Sequence, residues 1–226
     1  MDIIKTNKRG SLIVISGPTC AGKDTICREL TKVNKNVWIS VSCTSRPVRG
    51  NEVNGVDYFF ITKEEFEEKI RNGEMLEYAQ VHYNDYYGTP KEHIKEKLDA
   101  GIDVILVIDI QGALQIKEKA PEAIFIFVLA PSMEEIHNRL IKRGYENTEQ
   151  MIERFKTAYK EINELNKYNY VVVNDVLEDA VNKVNSIIIS EKCRVDRIEE
   201  VYLSNEEEII HEFLVDKNLK NEEIDI

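Results

Sequence analysis

Five short runs of apolar, largely β-branched residues constrain the fold more than any other feature of this sequence: Leu12 to Ser16, Val37 to Ser42, Val104 to Asp109, Ile124 to Leu129 and Tyr170 to Asn174. Each is too continuously apolar for a strand with one wet face, so each reads as a strand covered on both sides, as in a parallel sheet. Stretches with helical periodicity alternate with these runs, including Lys23 to Val33, Lys91 to Ala100, Met133 to Arg143, Gln150 to Asn166 and Leu177 to Ser190. Parallel neighbours need crossover connections, and this alternation supplies them. The expected architecture is a three-layer α/β sandwich.

The alternation breaks between Arg46 and Thr89. There Tyr58 to Thr62, a charged helical stretch from Lys63 to Asn72, and Met75 to Val81 predict a small mixed α/β insertion. Insertions at the carboxyl edge of a parallel sheet usually carry substrate contacts. A second break, Arg143 to Thr148, joins two polar helices and predicts a hinge. No internal repeat or Pro-rich linker interrupts the chain.

The net charge of −11 becomes informative once located, because residues 195–226 hold 11 acidic and 3 basic residues and leave 30 against 27 for the first 194. A nearly balanced body argues against a nucleic-acid footprint, and an acidic tail argues against anionic membrane. In that tail, Ser204 or Asn205 is placed to cap a short amphipathic helix reaching Leu214; a solvated, frayed extension is the alternative. The four cysteines show neither a Cys-x-x-Cys pair nor metal-ligand spacing with the four histidines, so they read as reduced thiols. No signal-peptide core opens the sequence, and Ala123 to Ala130 is too short to span a bilayer, which predicts a cytoplasmic protein.

Gly17-Pro-Thr-Cys-Ala-Gly-Lys-Asp-Thr25 follows the first strand directly and opens a helix. The glycines let backbone wrap a phosphate, while the amide groups, the helix N-terminus and the Lys23 ammonium stabilise its charge. An ordinary strand-to-helix turn with a surface lysine is the bland alternative. Asp24 stands where such loops normally carry a hydroxyl for Mg²⁺, so a charged ligand to the metal also repels the neighbouring phosphates. Thr25 points about a hundred degrees further round the helix.

On the acceptor side, Arg46 and Arg49 lie three residues apart and can grip one phosphate, with phenolic hydroxyls of Tyr58 and Tyr87 completing its shell. A solvated surface pair is the alternative for the two arginines. With these residues the sequence resembles the guanylate kinases, the nucleoside monophosphate kinases that phosphorylate GMP with ATP. The resemblance runs from about Arg9 to Cys193 through seven ordered blocks: ISGPTCAGKDT, TSRPVRGNEVNGVDYFF, GEMLEYAQV, YYGTP, VIDIQGA, RLIKRG and VVVND.

The resemblance implies a P-loop kinase fold over residues 1–194, with a GMP-binding insertion at about 43–89 and a helical lid at about 139–154, followed by an acidic extension, 195–226. It implies ATP with Mg²⁺ on residues 17–25, and GMP held through its phosphate by Arg46, Arg49, Tyr58 and Tyr87. The base is read by Glu77, completed by Ser42 and Thr89. A carboxylate accepts hydrogen bonds from guanine N1–H and the 2-amino group, donors that adenine lacks on that edge. Asp109 matches an acidic residue near guanine and metal; capping of the helix beginning near Gln111 is its alternative or additional task. Arg139, Arg143 and Arg154 match lid arginines that converge with Lys23 and Arg46 on the transferring phosphoryl. Asp24 and Asp109 are the candidate metal ligands, and a monomer or homodimer is implied.

Four positions depart from the family pattern. Asp24 replaces a hydroxyl residue, Cys20 a glycine or small residue, Asn51 a glycine, and Val107 a position that is often acidic. A carboxylate gained at 24 and one lost at 107 raise the possibility of compensation. Ribose bisphosphate phosphokinases share the Gly-Lys-Asp loop but have no need of Ser42, Glu77 and Thr89. Scaffold domains of guanylate-kinase type lose the phosphate loop and lid, which are intact here.

Overall fold

A computed structural model describes residues 4–6, 9–81, 85–142 and 148–201. Arg143, the expected hinge and the expected tail helix lie outside the described residues. Contacts divide the chain into two compact units, one of residues 8–188 and a smaller one joining residues 1–7 with 189–226, whereas the sequence reading placed the boundary at 194.

The smaller unit begins with β1 (Ile4–Thr6). In the larger, β2 (Leu12–Ser16) leads into α1 (Lys23–Val33), then β3 (Val37–Ile39). The insertion comprises β4 (Cys43–Thr44), β5 (Phe59–Phe60), α2 (Lys63–Arg71), β6 (Met75–Val81) and β7 (Asp85–Pro90). The alternation resumes with α3 (Ile94–Asp99), β8 (Asp103–Val107), α4 (Ile110–Lys119), β9 (Ile124–Leu129), α5 (Met133–Lys142), α6 (Thr148–Ile162), β10 (Tyr170–Val173) and α7 (Leu177–Glu191). In the smaller unit β11 (Ile198–Val201) pairs antiparallel with β1, Ile4 opposite Val201.

The central sheet is parallel, in the order β10-β9-β2-β8-β3. Side chains alternate across it. Ile13 and Ile15 face α1 and α7 in a cluster with Ile26, Leu30, Ile126 and Val184, while Val14 and Leu106 face α3 and α4 with Leu98 and Ile116. Both faces of β2 are therefore dry, which is why its sequence reads as a continuous apolar run and why the three-layer arrangement forms. Truncating one such isoleucine to alanine costs about 2–5 kcal/mol.

The insertion is a separate mixed sheet, β5-β4-β7-β6, with its own small core of Cys43, Phe66 and Met75. The Phe66 ring stacks on Tyr86 at 5.1 Å. α2 forms where expected because Thr62 and Glu65 make a capping box. Two expectations change here. β3 stops at Ile39 because residues 40–42 cross between sheets: Ser40 N–H still donates to Ile105 O, while Ser42 O accepts from Phe59 N–H. The expected strand from Tyr58 to Thr62 shortens to two residues.

Candidate active site

The phosphate loop leaves the carboxyl end of β2, at the middle of the sheet, and turns into α1. At its close Gly22 has φ 94°, and a Cβ there would meet Asn174 Nδ2 at 2.2 Å, so only glycine fits. Cys20 also adopts the left-handed region, φ 60°, where a side chain is strained by about 1–2 kcal/mol. Lys23 folds over the loop, its Nζ donating to Gly17 O at 2.6 Å and Pro18 O at 3.1 Å. Those two bonds hold the ammonium where an anion's oxygens would exchange for the carbonyls.

Arg139 supports the loop from behind. Its Nε donates to Glu135 Oε1 (2.7 Å), Nη1 to Cys20 O (3.2 Å) and Ala21 O (3.3 Å), and Nη2 to Asn174 O (3.2 Å). Asn174 Nδ2 adds a second donor to Ala21 O at 2.8 Å. The end of β10 and helix α5 thus fix the curvature of the loop, and Arg139 does not line the cleft.

The loop forms one wall of a cleft of about 1000 Å³. On the opposite wall Arg46 is buried, its guanidinium over the rings of Tyr58 (5.0 Å) and Phe60 (5.4 Å). Arg46 Nε donates to Tyr87 Oη at 2.9 Å, and Nη1 and Nη2 donate to the two oxygens of Glu52 at 2.6 and 2.7 Å. Glu52 holds the Arg46 guanidinium more strongly protonated than usual, and Arg46 in turn holds the Glu52 carboxyl below the ordinary carboxylate range. Burial, with Asp24 opposite, pushes the Tyr58 hydroxyl to about 12, so it remains a donor at neutral pH.

Deeper in the cleft, Glu77 on β6 is 3% exposed and accepts from Thr89 Oγ1 on the paired strand β7 at 2.6 Å. A Cβ on Gly112 would lie 2.3 Å from Glu77 Oε2, so the carboxylate needs the bare backbone at the start of α4. Asp109 caps that helix, its Oδ1 accepting from Gly112 N–H at 2.8 Å, so the capping task weighed from sequence is real. Burial, and then the charge of Asp109, raise the Glu77 carboxyl to about 7 against the pull of the Thr89 bond.

A face of α6 closes the cleft: Arg154, Thr157 and Glu161, at helical spacing, line it, joined by Glu164 from the turn after the helix. Burial raises the Glu161 carboxyl to about 7, with Lys23 opposing and Asp109 reinforcing the rise. Glu161 and Glu52 escaped the sequence reading. The spacing from Arg154 was the available signal for Glu161; for Glu52 there was none beyond its place in a matching block.

Of the expected site residues, Gly17, Thr19, Cys20, Gly22, Lys23 and Asp24 line the cleft from the loop, and Ser42, Arg46, Arg49, Tyr58, Glu77, Tyr87, Asp109 and Arg154 line the rest. Pro18, Ala21 and Thr25 are not among its lining residues, and Thr89 is buried behind Glu77. Asp24 acts electrostatically on Tyr58 and on the Cys27 thiol, and Asp109 on Glu77 and Glu161. Among the described residues no three His, Cys, Asp or Glu side chains converge as a metal cage, and no helix is long and apolar enough to cross a membrane.

A family model described as guanylate kinase matches residues 9–191. The guanylate kinase of Clostridium tetani is 59% identical over 209 residues, 92% of this chain and all of that one, and that of Clostridium acetobutylicum is 54% identical over 210 residues, 93% of this chain and all of that one. The crystal structure of guanylate kinase from Anaplasma phagocytophilum superposes with a TM-score of 0.72 at 31% identity, covering 96% of this chain and 98% of that one. A family model that matches most of the chain, and identity above one half across nearly the whole length, place the chain in the guanylate kinase family, the ATP-dependent nucleoside monophosphate kinases.

Proposed function

We propose that this chain transfers the γ-phosphoryl of ATP to GMP, and also to dGMP, giving ADP and GDP in purine nucleotide metabolism. The observation that carries the substrate assignment is the buried Glu77–Thr89 pair facing the phosphate loop across one cleft. A carboxylate positioned there accepts from guanine N1–H and the 2-amino group. Opposite adenine it would stay unpaired, a penalty on the order of 2–4 kcal/mol. Ser42 lines the same pocket and completes recognition.

ATP lies on residues 17–25, and Lys23 exchanges Gly17 O and Pro18 O for phosphate oxygens. Arg49, Arg46 and the hydroxyls of Tyr58 and Tyr87 hold the GMP phosphate in line with the γ-phosphoryl. Transfer then proceeds mainly by positioning and charge neutralisation, because the attacking phosphate oxygen is already anionic and needs no general base. Arg154, from α6, and Arg143 neutralise charge as water is excluded.

Mg²⁺ bound chiefly by nucleotide phosphates and water needs only one or two protein carboxylates, and the donor set fits that description. Asp24 at the first turn of α1 and the Asp109 oxygen not used in capping would hold it, and when bound it neutralises phosphate charge. Asp24, Val107 and Asp109 all line the one cleft, so the carboxylate gained at 24 stands in the same site as the acid lost at 107. Activity that rises in Asp24→Ser without an acid at 107 refutes compensation between the two positions. The reaction belongs in the cytoplasm, carried out by a monomer or homodimer.

The test is ADP release from ATP and Mg²⁺ with GMP, dGMP, AMP, UMP and ribose 1,5-bisphosphate as separate acceptors. Turnover with GMP and dGMP, and little with AMP, is expected. Turnover with the sugar bisphosphate alone, or with none despite ATP binding, refutes the assignment.

A further inference from the structure

We infer that Glu52 is a positioning residue for phosphoryl acceptance: it locks Arg46 and the Arg49 backbone so that the acceptor phosphate meets a pre-set group instead of a mobile guanidinium. The inference rests on the reading of Arg46 as a contact to the GMP phosphate.

The observation is a hydrogen-bond census. A guanidinium carries five N–H groups. At Arg46, Nε is taken by Tyr87 Oη, the two Nη1 hydrogens by Glu52 Oε2 and Pro47 O, and one Nη2 hydrogen by Glu52 Oε1. Partners within the protein thus use four, and the flat fork that would grip a phosphate with two parallel bonds is already filled by the Glu52 carboxylate. Glu52 Oε2 accepts in addition from Arg49 N–H at 2.9 Å, so one carboxylate spans the turn that carries both arginines.

Two consequences follow for the acceptor. With Glu52 in place, Arg46 offers a phosphate only its remaining Nη2 hydrogen, and Tyr87, whose oxygen already accepts from Arg46, has its own O–H aimed by that bond. The contact at Arg46 is then built from single donors with fixed directions, Arg46 Nη2 and the phenols, while the bidentate fork falls to the exposed Arg49, whose backbone Glu52 holds. Arg46 is only 5% exposed on its side chain and its partner 25%, so solvent cannot readily substitute for either member of the pair. The carboxylate lines the cleft itself, so its charge alone repels an incoming phosphate.

Positioning and repulsion predict opposite signs, which makes the inference testable. The experiment measures kcat, KM for GMP, KM for ATP and melting temperature for Glu52→Gln, Glu52→Asp, Arg46→Ala and the Glu52→Gln/Arg46→Ala double variant of the full chain. Positioning predicts that Glu52→Gln raises KM for GMP by about 10- to 100-fold with KM for ATP unchanged. Glu52→Asp recovers part of the loss, and the double variant is no worse than Arg46→Ala alone. A KM for GMP that is unchanged or lower in Glu52→Gln, while Arg46→Ala raises it, overturns the positioning role and makes Glu52 a competitor that the phosphate displaces. A lower melting temperature with unaltered constants overturns it in favour of a purely structural pair. Arg46→Ala with wild-type KM for GMP sinks instead the assignment of Arg46 to the acceptor phosphate.

Discussion

Replacing Glu77 by glutamine should make the empty protein more stable at alkaline pH while removing its guanine preference. The carboxyl is raised from its ordinary 4.5 to about 7, chiefly by burial. At about 1.4 kcal/mol for each tenfold change in proton affinity, ionising it in the folded protein costs about 3 kcal/mol. Because the folded state holds the proton more tightly than the unfolded one, stability falls as pH rises from about 4.5 to about 7 and stays low above it. Glutamine stays neutral and keeps an acceptor for Thr89. Its amide N–H₂, beside Gly112, lacks an evident acceptor and gives back about 1 kcal/mol.

The net expectation is a variant more stable by about 2 kcal/mol at about pH 8, which is about 4–8 °C in melting temperature for a chain of this size, and slightly less stable than wild type at about pH 4. Urea unfolding of both proteins at the two pH values measures it. A difference that does not change with pH, or a wild type that is the more stable at about pH 8, refutes the reasoning about a raised carboxyl. The functional counterpart is a rise in KM for GMP on the order of 100-fold, since two accepted hydrogen bonds become at most one. Wild-type protein should also release a proton on binding GMP near pH 7, visible as a buffer-dependent binding enthalpy.

Gly112→Ala would place a Cβ 2.3 Å from Glu77 Oε2 and should raise KM for GMP by about 10-fold or more with KM for ATP unaltered, despite alanine's better helix propensity; steady-state kinetics with each nucleotide varied decides it. Arg139→Met removes donors from Cys20 O, Ala21 O and Asn174 O and should destabilise the fold by about 2–4 kcal/mol while raising KM for ATP. A fall in kcat alone, with stability intact, would instead assign Arg139 to the transferring phosphoryl. At the left-handed position 20, Cys20→Gly should leave stability within about 1 kcal/mol and Cys20→Val should cost about 2 kcal/mol, measured by denaturant unfolding.

The central sheet was legible because both faces of its strands are buried: Leu12–Ser16 and Ile124–Leu129 carry no polar interruption and appear at the expected bounds. β7 was not, since Tyr86, Tyr87, Gly88 and Thr89 neither alternate nor run apolar; pairing with β6 makes it a strand. α1 was legible at both ends, its expected range Lys23 to Val33 being the observed one. In the site, the motifs named residues that the fold brings to one cleft, among them Lys23, Arg46, Glu77 and Asp109, because each motif is local in sequence. Sequence could not reveal how these groups are held, since Arg46 with Glu52 and Arg139 with the loop carbonyls depend on three-dimensional proximity. Arg139 shows the difference most directly: the resemblance groups it with residues that converge on the phosphoryl, and only the structure shows its bonds to Cys20 O, Ala21 O and Asn174 O.

The register of the central sheet also sets an order of events during synthesis. β2 has neighbours only in β8 and β9, Leu12 opposite Val104 and Ile13 opposite Ile124, so closing these pairs spans about 90 and about 110 residues of chain. β6 and β7, by contrast, pair locally, Val81 opposite Asp85. A nascent chain halted near residue 95 therefore holds the complete strands β6 and β7 but has no parallel sheet on which to mount the loop of residues 17–25. Only when translation has passed Leu129 does that loop gain both flanking strands, so an early-encoded segment waits long for its partners, and the apolar β2 run stays unpaired in the emerging chain meanwhile.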